Sequence, residues 1–197
     1  MKRKMIVPFI ILMIVILGIV SYLIWKEKHE LPVKQSLPSM TMKKIDGTTY
    51  SFGKSKKVRV LELIYTSCPD VCPITTQRLA QLQNELKKDG KFGKEVEFVM
   101  VTIDPKVDTP DVLEDYAKRI GLDKSGWVII RDEEKMPELA KKLGFFVQKT
   151  GKTVMHSNTA FLIDKDNNVR AYLPMGTKFN KEDTLDKINS LTKGGLF

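Results

Sequence analysis

The chain opens with one unbroken apolar run and then changes to short segments that alternate in period. From Met5 to Trp25 no charged residue occurs. As a helix this run would rise about 31 Å, close to the thickness of a bilayer core. Lys2, Arg3 and Lys4 precede it, and such a basic cluster stays on the cytoplasmic side. Tyr22 and Trp25 suit the far interface. A cleaved signal sequence would have a shorter apolar region followed by a small-x-small site. Here Trp25-Lys26-Glu27-Lys28 ends the run instead. The pattern predicts a cytoplasmic tip at 1–4 and a single-pass transmembrane anchor at 5–25. A polar linker follows at 26–38, with Pro32 and Pro38. The domain at 39–197 is then expected on the extracytoplasmic side of the cell membrane.

Within that domain the period switches repeatedly between 2 and 3.6. Thr41 to Ile45 and Thr48 to Phe52 flank Asp46-Gly47, a favoured hairpin turn. Val58 to Tyr65 and Val96 to Ile103 read as buried strands. Between them Pro73 suits the first turn of a helix, and Leu79, Leu82 and Leu86 recur at helical spacing up to Gly90. Thr109-Pro110-Asp111 reads as an N-cap, a first-turn proline and an acidic residue, opening a helix that stops at Gly121. A short strand follows at Trp127 to Ile130, and a helix at Met136 to Leu143 ends at Gly144. Thr159 to Ile163 and Val169 to Leu173 are strands, and Lys181 to Leu191 is a last amphipathic helix. Residues 149–156 read as a loop. Strands alternating with helices predict a parallel sheet covered on both faces. The closing hairpin and helix complete an α/β, thioredoxin-like sandwich with an N-terminal β-hairpin, preceded by one transmembrane helix.

The formal net charge is +9. Three of those charges lie in the tip, and the remainder reads as a solvated lysine-rich surface. No basic run is interleaved with aromatics, so nucleic acid is not an expected partner. Nothing calls for an obligate second chain, and a monomer is expected.

The chain has only two cysteines, Cys68 and Cys72, in Ser67-Cys68-Pro69-Asp70-Val71-Cys72-Pro73. A strand leads into this turn and a helix leaves it, so both sulfurs sit at a helix N-terminus, where backbone N–H groups and the helix dipole favour thiolate. A structural disulfide here would close a tiny loop and stabilise little. The pair is therefore read as redox-active, metal-binding, or both in turn. His156 stands just before the strand at 159–163, on the loop that faces the cysteine turn in a thioredoxin-like fold. Two thiolates and an imidazole suit copper, and zinc accepts the same donors. A catalytic base for a cysteine nucleophile is a further reading of His156. Asp104 ends the second buried strand and is a candidate for holding the site from outside, or a plain strand terminator ahead of Pro105. Asp70 is a candidate helix cap or a modifier of thiolate charge. His29 lies near the expected membrane surface and is read as incidental.

Four pieces in order, Cys68-Pro-Asp-Val-Cys72-Pro, Val101-Thr-Ile-Asp104-Pro, Asp108-Thr-Pro and His156-Ser followed by Phe161-Leu-Ile-Asp164, resemble the Sco/SenC family. These are membrane-anchored thioredoxin-fold copper proteins. The likeness covers about Leu37 to Leu191. It implies one copper ion, Cu(I) or Cu(II), held by Cys68, Cys72 and His156. It implies a role for Asp104, which matches an aspartate linked to function in the family. It also implies copper delivery to the dinuclear copper centre of cytochrome c oxidase subunit II, which would be the partner. The alternative is a thiol-disulfide oxidoreductase that reduces the cysteines of that acceptor. Two features depart from the family pattern. Tyr65-Thr66-Ser67 replaces Phe-Thr-His or Phe-Thr-Tyr, and the stretch 149–156 lacks the aromatic often found near the histidine.

Overall fold

Two strands buried at every position set the architecture. β4 (Val58–Ile64) and β5 (Val96–Thr102) run parallel at the centre of a six-stranded sheet. Strands covered on both faces read as near-continuous apolar runs, as these do. The computed structural model describes residues 3–29, 31–150 and 153–192, with side chains placed for 8–21, 31–149 and 154–192. Sheet order is β1 (Gln35–Ser36), β10 (Asn168–Pro174), β9 (Thr159–Ile163), β4, β5 and β6 (Trp127–Ile130). β6 is parallel to β5, whereas β9, β10 and β1 join antiparallel. This is the expected mixed α/β, thioredoxin-like fold.

Helix α2 (Val71–Lys88) crosses from β4 to β5 and packs against α3 (Pro110–Ile120) and α5 (Lys181–Thr192). The hydroxyl of Thr109 accepts the Val112 N–H at 3.4 Å, and Gly121 closes α3 at φ 78°. On the other face, α4 (Met136–Leu143) and the hairpin of β2 (Thr41–Lys43) and β3 (Thr49–Ser51) enclose a second core. There Met42, Phe52, Leu61, Leu63, Val99, Val101 and Leu139 meet.

Three stretches differ from the sequence reading. The expected linker at 26–38 holds the end of α1 (Arg3–His29) and strand β1, whose pairing with β10 anchors it. The expected loop at 149–156 is a hairpin of β7 (Val147–Thr150) and β8 (Thr153–His156). Its mixed composition hides the period, and residues 151–152 at its tip lie outside the described residues. The expected anchor at 5–25 lies within α1, in a compact unit, Met1–Leu31, separate from Pro32–Phe197. Among the described residues no helix is long and apolar enough to cross a membrane.

At the end of β4 remote from the cysteines, Arg59 is fully buried. Its guanidinium donates to the carbonyls of Phe52 (2.8 Å) and Asp164 (2.8 Å) and to Asn167 Oδ1 (2.9 Å). Asn167 sits at φ 69° and donates to the Leu37 and Pro38 carbonyls at 2.9 and 3.3 Å. Arg59→Ala strands these buried acceptors and opens a cavity. It is expected to lower the unfolding free energy by about 4 kcal/mol, read by urea denaturation.

Candidate metal centre

The chain turns from β4 into α2 through residues 65–70, and a buried carboxylate fixes that turn. Asp108 is fully buried. It accepts the Thr66 N–H at 3.2 Å, the Thr66 hydroxyl at 2.5 Å and the Thr102 hydroxyl. Thr66 follows β4 and Thr102 ends β5, so one side chain ties the two central strand ends together. Arg131 holds the same segment by donating to the Pro105 and Asp108 carbonyls at 2.8 and 3.0 Å.

Cys68 lies just ahead of α2 and Cys72 in its first turn. Cys72 is fully buried, whereas Cys68 keeps 9 % of its surface. Cys68 Sγ accepts the Cys72 N–H at 3.4 Å. The Cys72 thiol, the His156 imidazole and the backbone N–H groups of Cys72 and Asp70 hold the Cys68 thiol far below its ordinary value of 9.0, against the effect of burial. Cys72 moves the opposite way, pushed up by the neighbouring Cys68 sulfur and by burial. Thiolate is therefore favoured at Cys68, the less buried sulfur, and thiol at Cys72. Asp70 itself is exposed and makes no side-chain cap bond, so the cap expected from sequence is absent. Its backbone, not its carboxylate, faces the sulfur.

His156 ends β8. Its Nδ1 lies 2.8 Å from the Ser157 carbonyl, so Nδ1–H donates there and Nε2 is the nitrogen left for the sulfurs. Phe145 stacks on the ring at 5.8 Å and 17°, and Tyr65 meets it edge-on at 5.5 Å. The aromatic support missing from residues 149–156 thus comes from Tyr65, just past β4, and from Phe145, two residues past α4. The Cys68 thiolate raises the His156 pKa, opposed by burial. One ligand atom from each of Cys68, Cys72 and His156 lies within 4.8 Å of the others. Imidazole nitrogen and thiolate sulfur at this spacing fit a small, soft or borderline cation after modest contraction.

The structure does not bring Asp104 to these three. Asp104 is 6 % exposed, and both its oxygens take the Lys149 ammonium at 2.7 Å. Lys149 is on β7, so Asp104 reaches the site only through the hairpin that bears His156.

Glu62, not singled out from sequence, lies in β4 beneath Cys72. It is fully buried and accepts from Thr76 Oγ1 at 3.1 Å; that hydroxyl also bonds the Cys72 carbonyl at 2.9 Å. The Tyr116 hydroxyl donates to Thr76 Oγ1 at 3.1 Å. Burial pushes Glu62 up to about 8, with Thr76 opposing. Two charged residues, Arg59 and Glu62, inside an apolar run were the available signal. Asp108 had a weaker one, because Asp-Thr-Pro also reads as an ordinary helix start.

Two outcomes follow from these shifts. Cys68 should be alkylated by iodoacetamide at a rate nearly constant between about pH 5 and 8, while Cys72 resists. Cys72→Ala should restore a steep rise with pH, read by mass spectrometry of the labelled peptides. For Glu62 the folded pKa exceeds the unfolded value of 4.5, so its contribution to stability is complete below 4.5 and is lost as pH rises to about 8. Glu62→Gln should flatten that decline in urea denaturation across the same range.

A family model described as SCO1/SenC matches residues 49–193. A protein of Stutzerimonas stutzeri, named as copper-binding, is 26 % identical over 150 residues, covering 73 % of this chain and 71 % of that protein. The solved structure of BsSco, described as a member of the Sco family of cytochrome c oxidase assembly proteins with a disulfide switch, aligns with a TM-score of 0.72. Its identity is 22 %, and the alignment covers 84 % of this chain and 98 % of that one. Yeast Sco1 with copper bound aligns at 0.66 with 20 % identity, covering 84 % and 91 %. These two likenesses are of fold. The family match spans most of the domain that carries Cys68, Cys72 and His156, and the chain belongs to the SCO1/SenC family.

Proposed function

We propose that this protein binds one copper ion through Cys68, Cys72 and His156 and delivers it to the dinuclear copper centre of cytochrome c oxidase subunit II. The observation that carries the reading is the convergence of two sulfurs and one imidazole within 4.8 Å, where β4 leads into α2. The copper named for the Stutzerimonas stutzeri relative and bound in yeast Sco1 supports the choice of metal. The assembly role named for BsSco supports the choice of acceptor. Soft thiolates favour Cu(I), and the imidazole accommodates Cu(II). The uncharged run from Met5 to Trp25 supports a single-pass anchor, with the domain on the extracytoplasmic side.

The protein's own groups define what loading requires. Loading requires both cysteines as thiolates and His156 free at Nε2. The surroundings favour thiolate at Cys68, whereas the Cys68 sulfur and burial oppose it at Cys72. Handover needs the acceptor's sulfurs to replace these three in turn, and Cys68, the more accessible sulfur, is the entry point.

A second reading, reduction of the acceptor's cysteines, is favoured by the asymmetry of the pair. An accessible thiolate attacks a disulfide and a buried thiol resolves the mixed disulfide. The two readings share Cys68 and Cys72 but differ in their need for His156.

Cu(II) added to the reduced full chain in detergent should give a sulfur-to-copper charge-transfer band that saturates at one copper per chain. His156→Ala should weaken binding about tenfold or more while the folded signal in circular dichroism persists. An unchanged affinity removes His156 from the site. Oxidase assembly retained in cells carrying His156→Ala favours reduction over delivery.

A further inference from the structure

The β7–β8 hairpin forms its own two-stranded sheet and is not hydrogen-bonded into the central one. Its register places Val147 opposite His156 and Lys149 opposite Val154. Facing pairs and alternate residues share a face, so these four side chains point one way and Gln148 and Met155 the other. Met155 is 58 % exposed, whereas Val147 and Val154 pack against the core and His156 meets the rings of Tyr65 and Phe145. The inner face therefore carries two small apolar contacts and two polar ones, Lys149 and the candidate ligand itself.

Lys149 reaches a rigid target. The Asp104 backbone N–H donates to Thr102 Oγ1 at 3.0 Å, and its carbonyl accepts from Val107 and Asp108 at 3.0 and 2.9 Å. Its carboxylate is nearly buried and engages the ammonium through both oxygens at 2.7 Å. The turn that carries Asp104 also carries Asp108, which holds Thr66 two residues before Cys68. One five-residue turn thus touches both halves of the site: Asp108 restrains the cysteine turn, and Asp104 restrains the hairpin bearing the histidine.

We propose that Lys149 is a positioning residue for the metal centre, its ion pair with Asp104 latching the hairpin so that His156 stays aimed at Cys68 and Cys72. This rests on the copper-binding reading above. An exposed ion pair contributes little, but a carboxylate removed from water is left uncompensated when its cation goes. Loss of Lys149 therefore frees the hairpin while the cysteine turn, held by Asp108, stays in place.

The test uses the full chain in detergent, with variants Lys149→Met, Asp104→Asn, the double variant and Lys149→Arg. In the metal-free protein, amide exchange at Val154, Met155 and His156 should quicken about fivefold or more in Lys149→Met, with β4 protection unchanged. Cu(II) affinity should fall about tenfold, toward that of His156→Ala, with the charge-transfer band of the cysteines retained. The double variant should be no worse than the worse single one, because the pair acts as a unit. Lys149→Arg should stay near wild type. Unchanged exchange in Lys149→Met overturns the latch, and so do additive single effects or equal loss of protection in β4. If wild type shows no copper band, the copper reading fails, while metal-free exchange still decides the latch.

Discussion

The site depends on a buried carboxylate that never touches it. Asp108 accepts from a backbone N–H and two hydroxyls at the ends of β4 and β5, with all three donors neutral. Burying a carboxyl group is unfavourable unless hydrogen-bond partners surround it, and here they come from the ends of two strands at once. Separating those strand ends would strip the carboxylate of its partners. The start of the cysteine turn is consequently as rigid as the sheet, and the sulfurs are presented from a fixed base.

On that base the two sulfurs differ because their surroundings differ, although both belong to one turn of chain. Cys68 collects donors from the start of α2 and from His156, while Cys72 is fully buried beside Cys68 and Glu62. These surroundings favour negative charge at Cys68, the less buried of the two sulfurs. This suits both proposed chemistries, since attack on a disulfide and capture of a soft cation each begin at an accessible thiolate. His156, braced by two aromatic rings and a carbonyl, is what distinguishes a three-ligand site from a bare dithiol.

Much of this was legible in the chain because it rests on local rules. The strand-turn-helix around Cys68 and Cys72, the Thr109 cap and the Gly121 stop are written in adjacent residues, and the structure repeats them. His156 could be placed opposite the cysteines only through topology and resemblance, since nothing local marks it. The β7–β8 hairpin escaped because its inner face mixes two valines with a lysine and a histidine, which blurs the alternation that identifies a strand. Asp104 was singled out with no contact named: its partner is 45 positions away, and an ion pair at such separation leaves no pattern in sequence. Glu62 and Asp108 owe their importance to burial, which composition does not display.

Arg59 has a consequence for the order in which the molecule can form. Its guanidinium and Asn167 join carbonyls near Leu37 and Phe52 to a turn more than one hundred residues later. Synthesis delivers the first of these segments long before the second. Until the turn at 164–167 has emerged, Arg59 lacks its partners from that turn, and β4 lacks its neighbour β9. The contacts that complete this end of the sheet thus link segments far apart in the chain, and such long-range closure comes late in synthesis.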